Sequence, residues 1–310
     1  MRALSFRVSP ELEGERLDRV VAAAPFAREE GVSRKTARSL IERGAVTVSG
    51  KRVLASSRRV QGGELVRVSL PAAQKPRAPQ VASVRILFQD DVVLAIDKPA
   101  GIPSVPTRDP ARPSALSLAK ARLKSETAFL EAPHRLDRDT SGVLLLAKDA
   151  RSLAALSESF REGRAKKTYV ALVHGTVEKD SFRVESFLAP AKHARGEDER
   201  WHSVRAGGKK AITAFRVLAR GEDRTLVECL PETGRTHQIR VHLGDAGHPI
   251  VGDELYGAPG GEHAREGRHF LHARLLEIPH PSREGETLTI ESSLPEGFSA
   301  REGPGGSGAS

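Results

Sequence analysis

Apolar and polar positions over residues 16–70 follow a helical period first and a strand period afterwards. Arg16 to Ala24 can form one helix, closed by Pro25. Ser33 is a good N-cap for a second helix from Arg34 to Arg43, with Gly44 where a helix takes its left-handed terminator. On that helix Ala37, Leu40 and Ile41 share one stripe at i, i+3, i+4, and Arg34, Lys35 and Arg38 occupy a contiguous arc beside it. Val46-Thr47-Val48 and Arg52-Val53-Leu54 flank Ser49-Gly50, a hairpin signal, and a strand from Leu65 to Leu70 alternates around Arg67.

Beyond this module, Pro71 to Gln80 is proline-rich and aperiodic, which predicts an extended linker. The body then spans 81–297, and a Gly/Ser-rich end, 298–310, is expected to be disordered. In the body, strands are predicted at Val92–Ile96, Val143–Ala147, Thr168–His174, Ile212–Leu218 and Thr225–Leu230. Helices are predicted at Arg151–Glu162 and around Thr236–Asp245. Strands outnumber helices without regular alternation, so the expected class is α/β of the α+β type, built on a mixed, largely antiparallel sheet.

Composition changes the picture mainly through the distribution of charge. Residues 1–80 carry 16 Lys/Arg against 8 Asp/Glu, whereas the remaining 230 carry 33 against 32. A basic module joined to a nearly neutral body suggests a docking unit for a polyanion. The single cysteine, Cys229, excludes an intramolecular disulfide and a cysteine-based zinc site. No apolar run approaches membrane-spanning length, so a soluble cytoplasmic protein with no membrane partner is expected. His134, His237, His242 and His248 show no His-x-x-x-His spacing, and no P-loop or strand–GxGxxG–helix unit occurs. Neither a metal nor an organic cofactor is expected.

The most informative segment is His134-Arg135-Leu136-Asp137-Arg138-Asp139-Thr140-Ser141-Gly142 followed by the apolar run Val143–Ala147. A carboxylate between two arginines, at a turn that leads into a strand, sits where loops carry chemistry. The wording His-Arg-Leu-Asp-x-x-Thr-Ser-Gly resembles the nucleophile motif of the RluA-type pseudouridine synthases, which detach uracil from its ribose in RNA and re-attach it through carbon. A positioned carboxylate can attack or stabilise the anomeric carbon during glycosidic cleavage. Asp137 is the candidate, and an adjacent guanidinium would keep it ionised.

The resemblance implies further roles. Gly234-Arg235-Thr236-His237-Gln238-Ile239-Arg240 matches the family segment whose arginine pairs with the nucleophile, a role it assigns to Arg235. Lys166-Lys167-Thr168-Tyr169-Val170-Ala171-Leu172-Val173-His174-Gly175 matches the segment whose tyrosine, here Tyr169, lies against the target base. Arg135 resembles the arginine that fills the gap left by the flipped nucleotide, and Ile239 the apolar residue near the nucleophile. The first module resembles the S-four-type (alpha-L) RNA-binding domain, with Arg34, Lys35 and Arg38 as its RNA contacts. The likeness covers roughly 16–297, leaving 187–206 unassigned.

The implied protein is a monomeric RNA-modifying isomerase. Its expected partner is RNA, ribosomal RNA of the large subunit before transfer RNA. The rival readings are a non-catalytic RNA-binding or ribosome-assembly factor, and a hydrolase using Asp139 as a second acid.

Overall fold

The computed structural model describes residues 2–27, 32–42, 44–70, 83–107, 112–123, 129–191, 200–257 and 268–300. The chain divides into two compact units, residues 1–78 and 79–310. The linker expected at 71–80 lies outside the described residues, as does the charged run Ala194–Arg200 except for Arg200 itself.

In the first unit the order is β1 (Arg2–Arg7), α1 (Leu17–Ala22), α2 (Arg34–Glu42), β2 (Val46–Val48), β3 (Lys51–Arg52) and β4 (Leu65–Leu70). The strands form one sheet in the order β1-β4-β2-β3. The Ser33 hydroxyl accepts from Thr36 N–H at 3.1 Å, which caps α2. Gly44 takes φ 72° just past its end. The β2–β3 turn places both Ser49 (φ 50°) and Gly50 (φ 81°) in the left-handed region, the geometry that lets a two-residue hairpin follow the strand twist. Leu17, Val20 and Val21 of α1 pack with Ala37, Leu40 and Ile41 of α2 and with Val46, Val48, Val66 and Val68 of the sheet.

The second unit contains β5 (Arg85–Gln89), β6 (Val93–Lys98), α3 (Ala115–Leu123), β7 (Ser141–Ala147), α4 (Ala150–Arg161), β8 (Lys166–His174), β9 (Ser181–Pro190), β10 (Trp201–Val204), β11 (Lys209–Arg220), β12 (Arg224–Pro231), α5 (Gln238–Asp245), β13 (Leu271–Pro279) and β14 (Thr287–Glu291). Ten strands make one sheet ordered β10-β9-β11-β12-β8-β13-β7-β6-β5, with β14 on β13. Among the described residues only the β13–β7 pairing is parallel, so the sheet is mixed and largely antiparallel. The region left unassigned from sequence supplies the end of β9 and all of β10.

All seven residues of β7 are buried, and the side chains of its two faces enter different cores. Leu144 and Leu146 pack with α3 and Ile96, whereas Val143 and Leu145 pack with Leu156 of α4 and Ile278. Burial on both sides explains why this strand reads as an uninterrupted apolar run rather than an alternation.

One expectation is corrected. The body does not stop at residue 297, because Phe298 (8% exposed) and Ala300 (6%) belong to its core, and the Phe298 ring lies 5.4 Å from that of Phe270. Only 301–310 of the expected tail lies outside the described residues. Also, β1, β5, α3, β9, β10, β13 and β14 are not among the elements expected from the sequence.

Gly142 is where β7 and β13 meet most closely. Its φ is 109°, and a Cβ there would lie 2.2 Å from the Ala273 carbonyl oxygen. The Gly142→Ala change should therefore destabilise the body by about 3 kcal/mol, combining backbone strain with a steric clash. Gly163→Ala, also at positive φ (75°) but with nothing within 4 Å, should cost clearly less. Urea unfolding followed by the fluorescence of Trp201, the chain's single tryptophan, measures both. Equal midpoints for the two variants would show that the close approach is unimportant.

Candidate active site

The chain around Asp137 is held on both sides by backbone bonds. The Ser104 hydroxyl accepts from Leu136 N–H (2.9 Å) and donates to the Leu136 carbonyl (2.8 Å). On the other side the Arg138 carbonyl accepts from Gly101 N–H (3.0 Å) and from Lys98 Nζ (2.8 Å). Lys98 is fully buried, and its Nζ also donates to the carbonyls of Pro99 (2.9 Å) and Ile102 (2.7 Å). Burial pulls its pKa down to about 7, against the opposing charges of Asp139 and Asp137. Three carbonyl acceptors nevertheless match the three donors of an ammonium, which a neutral amine could not satisfy. Asp137 is thus fixed at the β7 entrance by the Lys-Pro-x-Gly turn.

The Asp137 carboxylate, 21% exposed, opens onto a cleft of about 600 Å³ lined by Arg135, Lys167, Tyr169, Arg235, His237, Ile239 and Arg240, among others. Its ion-pair partner is Arg240, whose Nη1 donates to Asp137 Oδ2 at 3.1 Å. The expectation of Arg235 is therefore corrected. Arg235 is exposed, and its Nε donates to the Lys210 carbonyl at 2.9 Å.

Gln238 explains the difference. Its Oε1 accepts from Arg235 N–H (3.0 Å) and the Thr233 hydroxyl (2.7 Å), while its Nε2 donates to the Ile212 carbonyl (2.9 Å) and the Thr213 hydroxyl (2.9 Å). This anchors the start of α5 to β11 and leaves Arg235 before the helix, whereas Arg240 projects from the first turn. The side-on edge of the Arg240 guanidinium grips Asp253 with two bonds, Nε to Oδ2 at 2.7 Å and Nη2 to Oδ1 at 2.9 Å. Asp253 is fully buried at its side chain, and its Oδ1 also accepts from Leu255 and Tyr256 N–H (3.0 and 3.1 Å).

Burial would raise the Asp137 pKa, but the nearby positive charges of His237, when protonated, and of Arg240 prevail and hold it below the usual carboxylate value. Asp253 is likewise lowered, burial being outweighed by its bonds and charge pairing with Arg240. Carboxylates with lowered folded-state pKa contribute stability above their unfolded-state values, and it is lost as pH falls through the lowered ones. Burial first, and the Asp137 charge second, push the Tyr169 phenol up, so it stays protonated at neutral pH. Tyr169 pairs with Cys229 on β12 and Ala273 on β13 and stands half-buried at the cleft. Arg135 is exposed at the rim, and Ile239 (6% exposed) joins the core below.

Sequence reasoning missed Arg240, Asp253, Lys98, Tyr256 and the role of His237. Arg240 stands in the segment Gly234–Arg240 that carries the family resemblance, but nothing local says which arginine faces the carboxylate. Among the described residues no group of three or more His, Cys, Asp or Glu could hold a metal ion.

In the first unit Arg34 and Arg38, half-exposed, both reach inward to Asp18, whose side chain is fully buried. Arg34 Nε lies 3.3 Å and Arg38 Nη2 3.1 Å from Asp18 Oδ2, and Arg16 Nε donates to Oδ1 at 3.1 Å. Burial would raise the Asp18 pKa, but these bonds and charges bring it down to about 2. Three cations around one anion leave net positive charge on this helix face. The side chain of Lys35 lies outside the described residues.

Residues 92–245 match the RNA pseudouridylate synthase family, and residues 15–66 match the S4 domain. The chain is 36% identical over 308 residues to the ribosomal large subunit pseudouridine synthase C of Escherichia coli (strain K12), covering 94% of this chain and 93% of that one. It is 33% identical to the ribosomal large subunit pseudouridine synthase D of Neisseria meningitidis, covering 94% and 79%. The human RNA pseudouridylate synthase domain containing 1 and domain containing 4 structures superpose with TM-scores of 0.59 and 0.56, at 26% and 28% identity. Each covers 69% of this chain, and the matches span 84% and 90% of those chains. A paired carboxylate at the head of β7, on this sheet and in this company, places the chain in the RNA pseudouridylate synthase family, with an S4 domain at its N-terminus.

Proposed function

We propose that this isomerase converts uridine to pseudouridine in ribosomal RNA of the large subunit, with Asp137 as the nucleophilic carboxylate. The observation that carries the reading is the Asp137–Arg240 pair, open to the cleft on a rigid loop. Arg240 keeps the carboxylate ionised without enclosing it. Tyr169 provides a ring against which an extruded base can rest, Arg135 a planar cation at the rim to occupy the vacated stack, and Ile239 an apolar floor. The reaction breaks the N1–C1′ bond, forms C5–C1′, releases the C5 proton and places a proton on N1, so it is balanced without redox chemistry.

The ribosomal substrate is supported by the names of the relatives and by the basic first unit, whose Arg34, Lys35 and Arg38 we assign to phosphate contacts. No described helix is long and apolar enough to cross a membrane. The cytoplasm, where ribosomal RNA is accessible, is the proposed compartment. A monomer is the proposed active unit. An assembly factor without catalysis would have no use for an ionised carboxylate held at an open cleft.

Asp137→Asn should lower turnover on large-subunit ribosomal RNA at least about a thousandfold, some 4 kcal/mol in the barrier, with RNA affinity kept. Pseudouridine mapping before and after incubation measures this, and retention within about tenfold of the parent would remove Asp137 as the nucleophile.

Arg240→Lys replaces the fork that serves two carboxylates with a point charge. It should destabilise the body by about 3 kcal/mol and cut turnover steeply. Arg235→Ala should keep turnover within about tenfold; the reverse ranking would restore Arg235 as the partner of Asp137.

Deleting residues 1–78 should flatten the dependence of log affinity on log salt, by about one unit for each phosphate that the shortened protein no longer neutralises. Arg34→Ala with Arg38→Ala should flatten it by less. Equal slopes for intact and shortened protein would show that the first unit is not the docking surface.

A further inference from the structure

His237 stands immediately before α5 with φ 55°, and apart from Ser49 it is the only non-glycine residue at positive φ among the described residues. Histidine tolerates this region better than most side chains but pays for it in strain. The ring is 7% exposed at its side chain and meets the Tyr256 ring edge-on at 5.6 Å. Its Nδ1 lies 2.9 Å from the Tyr256 hydroxyl. That hydroxyl accepts from Trp201 N–H at 2.8 Å, and among the described residues its own proton has one acceptor, His237 Nδ1. A phenol donating to Nδ1 leaves Nδ1 unprotonated and puts the imidazole proton on Nε2.

Nε2 faces the cleft 3.8 Å from Asp137 Oδ2, beyond hydrogen-bond reach, and that oxygen already accepts from Arg240. The donor is therefore not spent on the carboxylate. We propose that Tyr256 locks His237 in the Nε2–H tautomer, and that this N–H donates to a uracil carbonyl oxygen of the nucleotide held at Asp137. When the N1–C1′ bond breaks, its electron pair passes to the base and negative charge builds on the carbonyl beside N1. A fixed donor there is stronger in the transition state than in the ground state. His237 keeps its proton throughout.

Burial lowers the pKa of His237, with Arg240 and Arg135 acting in the same direction and Asp137 and Asp253 opposing, so the ring is neutral at neutral pH and tautomer identity matters. Arg240 lies over the Tyr256 ring at 5.0 Å, which holds the phenol from behind. The inference rests on Asp137 being the reacting carboxylate.

Two measurements on the full chain test it. In protein labelled with 15N-histidine, the His237 signals, assigned by their loss in His237→Gln, should show Nε2 protonated and Nδ1 bare, and Tyr256→Phe should mix the tautomers. Single-turnover assays on a large-subunit ribosomal RNA transcript should show His237→Leu slowed about a hundredfold at saturating enzyme, with RNA affinity within about threefold. His237→Gln, equally strained but with an amide N–H at similar reach, should recover to within about tenfold of the parent. A proton on Nδ1, equal rates for Gln and Leu, or a loss confined to RNA affinity would each overturn the proposal. A wrong substrate assignment would instead appear as no turnover by the parent, leaving the tautomer measurement to decide.

Discussion

The cleft is organised by one guanidinium. Arg240 engages all three of its nitrogens: Nε and Nη2 on Asp253, which is buried and further satisfied by two backbone N–H groups, and Nη1 on Asp137. A buried arginine between two carboxylates is costly to desolvate and is tolerable only when its donors are met in good geometry. Asp253 supplies that geometry. Because its position is set by the chain after α5, Arg240 cannot turn with the solvent, and Asp137 receives one charge-assisted bond rather than a bidentate clamp. Among the described residues none donates a hydrogen bond to Asp137 Oδ1, so the carboxylate is ionised yet available.

Rigidity around Asp137 comes from backbone anchoring rather than from side-chain packing at the carboxylate. Ser104 satisfies both polar groups of Leu136, and Lys98 with Gly101 satisfies the carbonyl of Arg138. Two turns distant in sequence are thereby joined: the Lys-Pro-x-Gly turn after β6 and the Asp137 loop before β7. The antiparallel β6–β7 pairing and the close β7–β13 contact at Gly142 carry that positioning into the sheet. A reacting group held to a fraction of an ångström avoids much of the entropy of assembling the transition state.

In the S4 unit the same pairing logic serves a different end. Asp18 is buried beneath three arginines, of which Arg34 and Arg38 come from α2 and remain half-exposed. One carboxylate oxygen reached by both orients the guanidiniums and prevents mutual repulsion, while the surplus charge still faces outward. A polyanion docking on this face, as proposed, would meet arginines whose conformational freedom is already reduced.

Local structure was legible in the sequence where it depends on neighbours along the chain. The Asp137 turn and β7 announce themselves through a turn signal next to an apolar run, and α2 through Ser33, its stripe and Gly44. Tyr169, which lines the cleft, was legible only through the family segment that its surroundings resemble. What the tertiary structure decided is which distant groups meet. Arg235 and Arg240 lie on either side of a helix start and look equivalent in sequence; Gln238 bonded to β11 turns one away and aims the other at Asp137. β13 and β14 read weakly because their stability comes from partners far away in the chain. Phe298 looks like the start of a polar tail until Phe270 and His272 are seen beside it. Turns and caps are local energies, whereas ion pairs, tautomers and sheet edges depend on approaches between segments that only the folded chain brings together.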